Sequence, residues 1–205
     1  MIVTVSRAYG AAAQAVSRRA AERLGYRLLD EELDVVVATR LGMSPDVVES
    51  VGDRPRGFGE RVMEQLGGGL PELAQPAASR ADDLIAERKR GIELAVREAA
   101  EVGSVVIIGR MGGTILSARA DVVRVFIGAP LTWRIAHVAE SLGGGEAEAK
   151  AEIGRIDEAR REYAREHYRV TWGDPRNYHL VVDTARFGVD GAGDVIAAAV
   201  RAAGG

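Results

Sequence analysis

Arginines carry most of the chemistry this sequence can offer. Arg110 follows the apolar run Val105–Ile108 within the stretch Gly109-Arg110-Met111-Gly112-Gly113. Arg155, Arg160, Arg161, Arg165 and Arg169 punctuate a charged segment, with Asp157 between the first two. A guanidinium is planar, permanently charged and matched to the paired oxygens of a phosphate or carboxylate. Ligands of open parallel sheets bind beyond the carboxyl ends of the strands. An arginine placed like Arg110 is therefore either an anion ligand or a surface residue of a turn, and position alone leaves both open. For the charged segment, spacing favours the plainer reading: Glu152, Asp157, Glu158 and Glu162 can pair with the arginines along a solvated helix. A third feature is Ser6-Arg7-Ala8-Tyr9-Gly10, lying between a β-branched run and a helical pattern. Free amides and the helix dipole make such a turn a natural phosphate site. A standard phosphate loop adds further glycines, a Lys for the terminal phosphates and a Ser or Thr for Mg²⁺. Here Gly10-Ala11-Ala12-Ala13-Gln14 keeps only the first glycine and supplies no Lys, Ser or Thr. Taken alone, it reads as an ordinary strand-to-helix turn.

Composition removes several alternatives. The 205 residues can bury a substantial core, and 47% hydrophobic with 28% charged residues is ordinary for a globular chain. A net charge of -3 argues against a general nucleic-acid binder. With no cysteine there is no disulfide, thiolate metal site or cysteine nucleophile. His137, His167 and His179 show no metal-ligand spacing, and their simplest places are helix surfaces and a strand edge. The opening apolar run is too short for a signal-peptide core, and no stretch approaches a membrane span. The expectation is a cytoplasmic protein with no metal held by the histidines, no membrane partner and no nucleic-acid partner.

Elements must then hold the arginines in place. Ile2–Val5, Val105–Ile108, Val122–Ile127 and Leu180–Val182 are nearly continuous β-branched runs, as in strands covered on both faces, and Tyr26–Leu29 is a weaker candidate. Helical patterns separate them. The expected fold class is α/β, three-layer, with a mainly parallel sheet and crossover helices. Helices are expected from about Ala12 to Leu24 with Gly25 as stop, and after Asp30, whose cap precedes Glu31, Glu32 and Asp34, as far as Gly42. Another restarts at Ser44-Pro45. Gly52–Ser79, with the run Gly67-Gly68-Gly69, reads as an irregular excursion with a short helix near Glu60–Leu66. Ser79 should cap a helix from about Arg80 to Glu101, weakened by Gly91 and stopped by Gly103. Glu146 to about Tyr168 is a long charged helix, and Ala192–Ala203 a final small-residue helix packed on the sheet. The three alanines at 11–13 also favour helix, which would let the first helix intrude on the turn before it.

In their order along the chain these pieces resemble the cytidylate-kinase-like family of P-loop nucleoside monophosphate kinases. The stretches carrying the resemblance are VTVSRAYG, RLGYRLLDEEL, VVIIGRMGGTIL, VRVFIGAPLTWRIAHV, IGRIDEARREYAREHY and WGDPRNYHLVVDTARFG. The resemblance covers most of the chain outside Gly52–Ser79. It implies one kinase-like domain over residues 1–205, with a helical acceptor-side insertion at about 40–100 and a lid at about 145–170. It implies ATP and Mg²⁺ as cofactors and nucleotides as small-molecule partners, with CMP the family-based acceptor. Ser6, Arg7, Gly10, Ala11, Ala12, Ala13 and Gln14 would surround the donor phosphates. Asp30 and Arg110 would face the acceptor, Arg110 on its phosphate, and Arg134 would reach the phosphates. Arg155, Asp157, Arg160 and Arg161 would belong to the lid. Asp183 either lies near the nucleotide edge or caps a turn with Thr184. Against the family pattern, the loop has alanines for glycines and neutral Gln14 for a basic residue. The alternative is therefore a catalytically impaired nucleotide-binding or regulatory protein on the same fold. The Arg80–Glu101 helix could offer a homodimer face.

Overall fold

Five short segments form the strands: β1 (Ile2–Arg7), β2 (Arg27–Leu29), β3 (Val105–Ile108), β4 (Val122–Gly128) and β5 (Leu180–Asp183); all but β2 are rich in β-branched residues. They make one parallel sheet in the order β2-β3-β1-β4-β5. The computed structural model describes residues 1–30 and 77–204, and side chains at 1–30 and 86–204. The chain divides into two units, Met1–Asp30 with Val96–Gly205, and Glu31–Ala95. The helices expected after Asp30 and at Ser44-Pro45, and the irregular stretch from Gly52 as far as residue 76, lie outside the described residues.

The described helices are α1 (Ala13–Leu24), α2 (Ala77–Val102), α3 (Gly112–Ile115), α4 (Leu131–Leu142), α5 (Glu146–Tyr168) and α6 (Thr184–Gly204). None of them is long and apolar enough to cross a membrane. Gly25 and Gly143 end α1 and α4 in the left-handed region, where a Cβ would be strained. Two boundaries correct the sequence reading. α2 already includes Ala77 and Ala78, both strong helix formers, so Ser79 lies inside the helix and does not cap it. α6 begins at Thr184, well before Ala192, and is broken at Gly188, whose φ of 66° is not helical. Asp183 supplies its cap: the carboxylate accepts from the Ala185 N–H at 2.8 Å and from Arg186 N–H at 3.3 Å.

One face of the sheet carries the main core. Val3, Val5, Val106, Ile108, Val125 and Ile127 pack against Val16 and Ala20 of α1 and Ile196 and Val200 of α6, all essentially buried. The two helices approach closely because Gly193 has no side chain: a Cβ there would lie 2.7 Å from Arg19 Cγ and 3.2 Å from the Ala20 nitrogen. The other face points Thr4 toward α3, whose Gly112 and Gly113 admit its side chain. β3 and β4 flank β1, so the chain changes direction across the sheet at β1. Ligands of open parallel sheets gather at the carboxyl edge of that point.

The outer strand is registered by His179. Its N–H donates to the Arg124 carbonyl at 2.8 Å, and its Nδ1 accepts from the Arg124 N–H at 3.3 Å. Burial, and then the charge of Arg124, hold the imidazole pKa below its ordinary 6.5. The fold thus favours the neutral ring, whereas the unfolded chain takes up the proton near 6.5. Stability from this group is complete above that value and declines as pH falls through it. The denaturation midpoint should drop between about pH 7.5 and pH 5.5, and less so in His179→Asn, which keeps an acceptor without titrating. An equal drop in the variant would remove His179 as the source.

Candidate functional site

β1 delivers its last residues to the carboxyl edge, where Ser6 and Arg7 pair in register with Phe126 and Ile127 of β4. The Ala8 N–H continues the ladder to the Ile127 carbonyl at 2.9 Å. The chain then turns through two left-handed residues, Gly10 at φ 78° and Ala12 at φ 52°. Glycine is required at 10, since a Cβ would stand 2.6 Å from Val138 Cγ2 and 3.3 Å from the Arg134 carbonyl of α4. α1 starts only at Ala13, without a capping side chain on Ala12 and without an acidic residue in its first turn. The alanines therefore do not draw helix into the turn. Ala11 and Ala13 are core residues, 1% and 6% exposed, and core packing decides their backbone over helix propensity. The loop stays open, and first-turn amides of α1 have no acceptor within the helix.

Tyr9 is held from every side. Its N–H donates to Asp157 Oδ1 at 2.9 Å, and its carbonyl accepts from Arg134 Nη1 at 3.0 Å. The same Nη1 reaches Asp157 Oδ2 at 2.7 Å, and Arg134 Nε donates to the Ala129 carbonyl at 3.2 Å. Both side chains of this ion pair are nearly buried, at 13% and 8% exposure. The Tyr9 ring packs on the small cluster Val138, Ala149 and Ile153, and the Arg160 guanidinium lies 5.9 Å from the ring centroid. Arg160 also donates to the Arg7 carbonyl at 3.0 Å.

A cavity of about 230 Å³ opens against this loop. Arg7, the segment Ala8–Ala13, Gln14 and Arg160 line it, with His137, Val138, Ser141 and Leu142 from α4. Gln14 Nε2 donates to Asp30 Oδ2 at 3.0 Å, which brings Asp30 to the end of the loop. The Arg7 guanidinium rests against Gly109, where a Cβ would meet Nη1 at 2.4 Å. Arg110 follows Gly109 on the strained run Gly109-Arg110-Met111, all with φ above 50°.

The four α5 residues separate by helix face. Asp157 and Arg160, three apart, turn inward to the loop, whereas Arg155 pairs with Glu152 at 2.6 Å and Arg161 with Glu158 at 2.7 Å, about half exposed. The solvated, salt-bridged reading of this helix therefore holds for Arg155 and Arg161, and buried Asp157 corrects it on the other face. Ser6 lies at the strand end and does not line the cavity. Sequence reasoning placed Tyr9 within the turn and His137 on a helix surface, where His137 is indeed exposed, but gave neither a site role, and it gave none to Ser141. The only available signal was the i, i+4 spacing that puts Arg134 with Val138, and His137 with Ser141, along α4.

Residues 2–186 match the model of the cytidylate kinase-like family. The chain belongs to that family. Among relatives, it is 29% identical to a cytidylate kinase of Methanopyrus kandleri over 68% of this chain and 74% of that one. It is 28% identical to a cytidylate kinase of Rhodococcus opacus, over 93% and 90%. A crystal structure of shikimate kinase from Bacteroides thetaiotaomicron superposes with a TM-score of 0.55, covering 98% of both chains at 11% identity. That likeness shows the fold alone, which supports the expected α/β class with a parallel sheet and crossover helices.

Within this family's loop, Ala12 is the costly residue: a side chain in the left-handed region costs about 1–2 kcal/mol. Ala12→Gly removes that strain and gives back about 0.4–1 kcal/mol in unfolded-chain entropy. A net gain of about 0.5–1 kcal/mol is expected in urea denaturation, and a loss would contradict the left-handed assignment.

Proposed function

We propose that the protein transfers the γ-phosphoryl group of ATP to a nucleoside monophosphate, with CMP the acceptor that the family and its curated relatives favour. The observation that carries this reading is the open turn between β1 and α1. Left-handed Gly10 and Ala12 and a helix that starts only at Ala13 leave a cavity bordered by loop backbone, Arg7 and Arg160. Backbone amides and a helix N-terminus suit the donor phosphates. Arg7 and Arg160 would offset charge as the phosphoryl group passes, and Arg110, just past the end of β3, would take the acceptor phosphate. Such transfers depend on positioning and charge stabilisation more than on covalent chemistry. α5, with Arg160 facing the loop, would serve as the lid.

The loop does not fit a protein-held Mg²⁺. Ala11–Gln14 offers no hydroxyl or carboxylate, Asp30 is engaged with Gln14, and the described residues contain no cluster of three metal-ligating side chains. The same substitutions favour a second reading, a nucleotide-binding protein with little turnover, because Gln14 places no charge where the family has a basic residue.

A coupled assay with ATP, Mg²⁺ and each monophosphate separates the two, alongside calorimetry with the same nucleotides. Turnover, with Arg160→Ala lowering kcat by about 10²–10³-fold and Arg110→Ala weakening the monophosphate about 10–100-fold, is the expected result. Binding without turnover establishes the second reading, and absence of nucleotide binding overturns both.

A further inference from the structure

We infer that Asp157 and Arg134 act as a strut that sets the backbone of the phosphate loop, positioning nucleotide through Tyr9 instead of touching it. Both backbone polar groups of Tyr9 are taken by this one ion pair: N–H by Asp157 at 2.9 Å, C=O by Arg134 at 3.0 Å. Arg134 is itself fixed to the Ala129 carbonyl beyond β4, so the strut joins the sheet edge, α4 and α5 at one residue of the loop. Neither side chain lines the cavity, which Tyr9 and Gly10 do.

The placement has a physical purpose. A loop with glycines and a basic residue closes around phosphate by its own conformational freedom. Here Ala11–Ala13 remove that freedom, and Ala12 is held in a region alanine disfavours. An external clamp one turn upstream supplies the constraint. A nearly buried carboxylate and guanidinium are costly to part, because each would leave a charge without a partner in low dielectric. The Tyr9 ring adds an apolar anchor on Val138, Ala149 and Ile153. Since Asp157 rides on α5, any outward movement of that helix must release the Tyr9 amide. Helix position and loop shape are thereby coupled. As a statement about the loop this stands by itself; as one about nucleotide it rests on the kinase reading.

Amide hydrogen exchange by NMR, on the full chain, tests the strut without activity. Tyr9 should be protected in the wild-type chain. Asp157→Ala should speed its exchange about 10–100-fold, leaving Val3 and Val125 unchanged, while Asp157→Asn, which keeps an oxygen acceptor, retains most of the protection. An unprotected Tyr9 in the wild type, or unchanged exchange in Asp157→Ala, overturns the proposal; the wild-type measurement decides even if the alanine variant fails to fold. In turnover, Asp157→Asn should raise the KM for ATP and leave that for the monophosphate unaltered; a rise confined to the monophosphate would make Asp157 an acceptor ligand and overturn the strut. If Tyr9 responds as expected but the wild type binds no ATP analogue, the strut stands and the kinase reading falls.

Discussion

A backbone that leaves a sheet must find partners for its peptide groups, and at Tyr9 this demand organises the whole carboxyl edge. β1 is the central strand, and its ladder ends when Ala8 donates to Ile127. The next peptide group belongs to the partly buried Tyr9, between the sheet edge and the residues of α4 and α5 that bond it. Left unpaired it would cost about 1–3 kcal/mol for each polar group. A carboxylate and a guanidinium meet that need together, and each also neutralises the other. Two neighbouring helices, both more than 120 residues from Tyr9 in sequence, are thereby brought to one residue of the loop, and the cavity lies beside it.

The alanines show how local preference yields to packing. Ala11-Ala12-Ala13 would extend a helix in an isolated peptide, where propensity differences of a few tenths of a kcal/mol decide. In the folded chain Ala11 and Ala13 are buried with Val16 and Ile127 in the principal core. Gly10 can pass Val138 only without a Cβ. Those tertiary terms are larger, so the turn keeps its non-helical shape beside the cavity, at the expense of strain at Ala12.

Charge is distributed with the same economy. Outward-facing Arg155 and Arg161 are matched by glutamates three residues before them, pairs that contribute little in water. Arg7, Arg110, Arg134 and Arg160 gather instead near the strand ends of β1 and β3 and over the loop. A net charge of -3 for the chain is compatible with this local cationic edge, because binding an anion depends on nearby donors and not on the total. Fold alone does not specify chemistry; the family, the open turn and these arginines support it jointly.

The amino-acid sequence by itself determined the strands, the helix stops and the family. The runs of β1 and β3 are legible because burial on both faces leaves no other pattern, whereas β5 at the sheet edge leaves Val181 half exposed; Gly25 and Gly103 end helices by a rule of backbone sterics. The order of motifs also announced Arg110 and the arginines of α5. Only the tertiary structure decided which of those arginines face the loop, since helix spacing defines faces but not what they meet. Asp157 is one of several acids on a charged helix in the sequence, and its burial depends on α4 and the turn after β1 arriving at the same place. The state of the phosphate loop was decided there too: three alanines point to helix, and the contacts of Gly10, Ala11 and Tyr9 with distant residues hold the turn open.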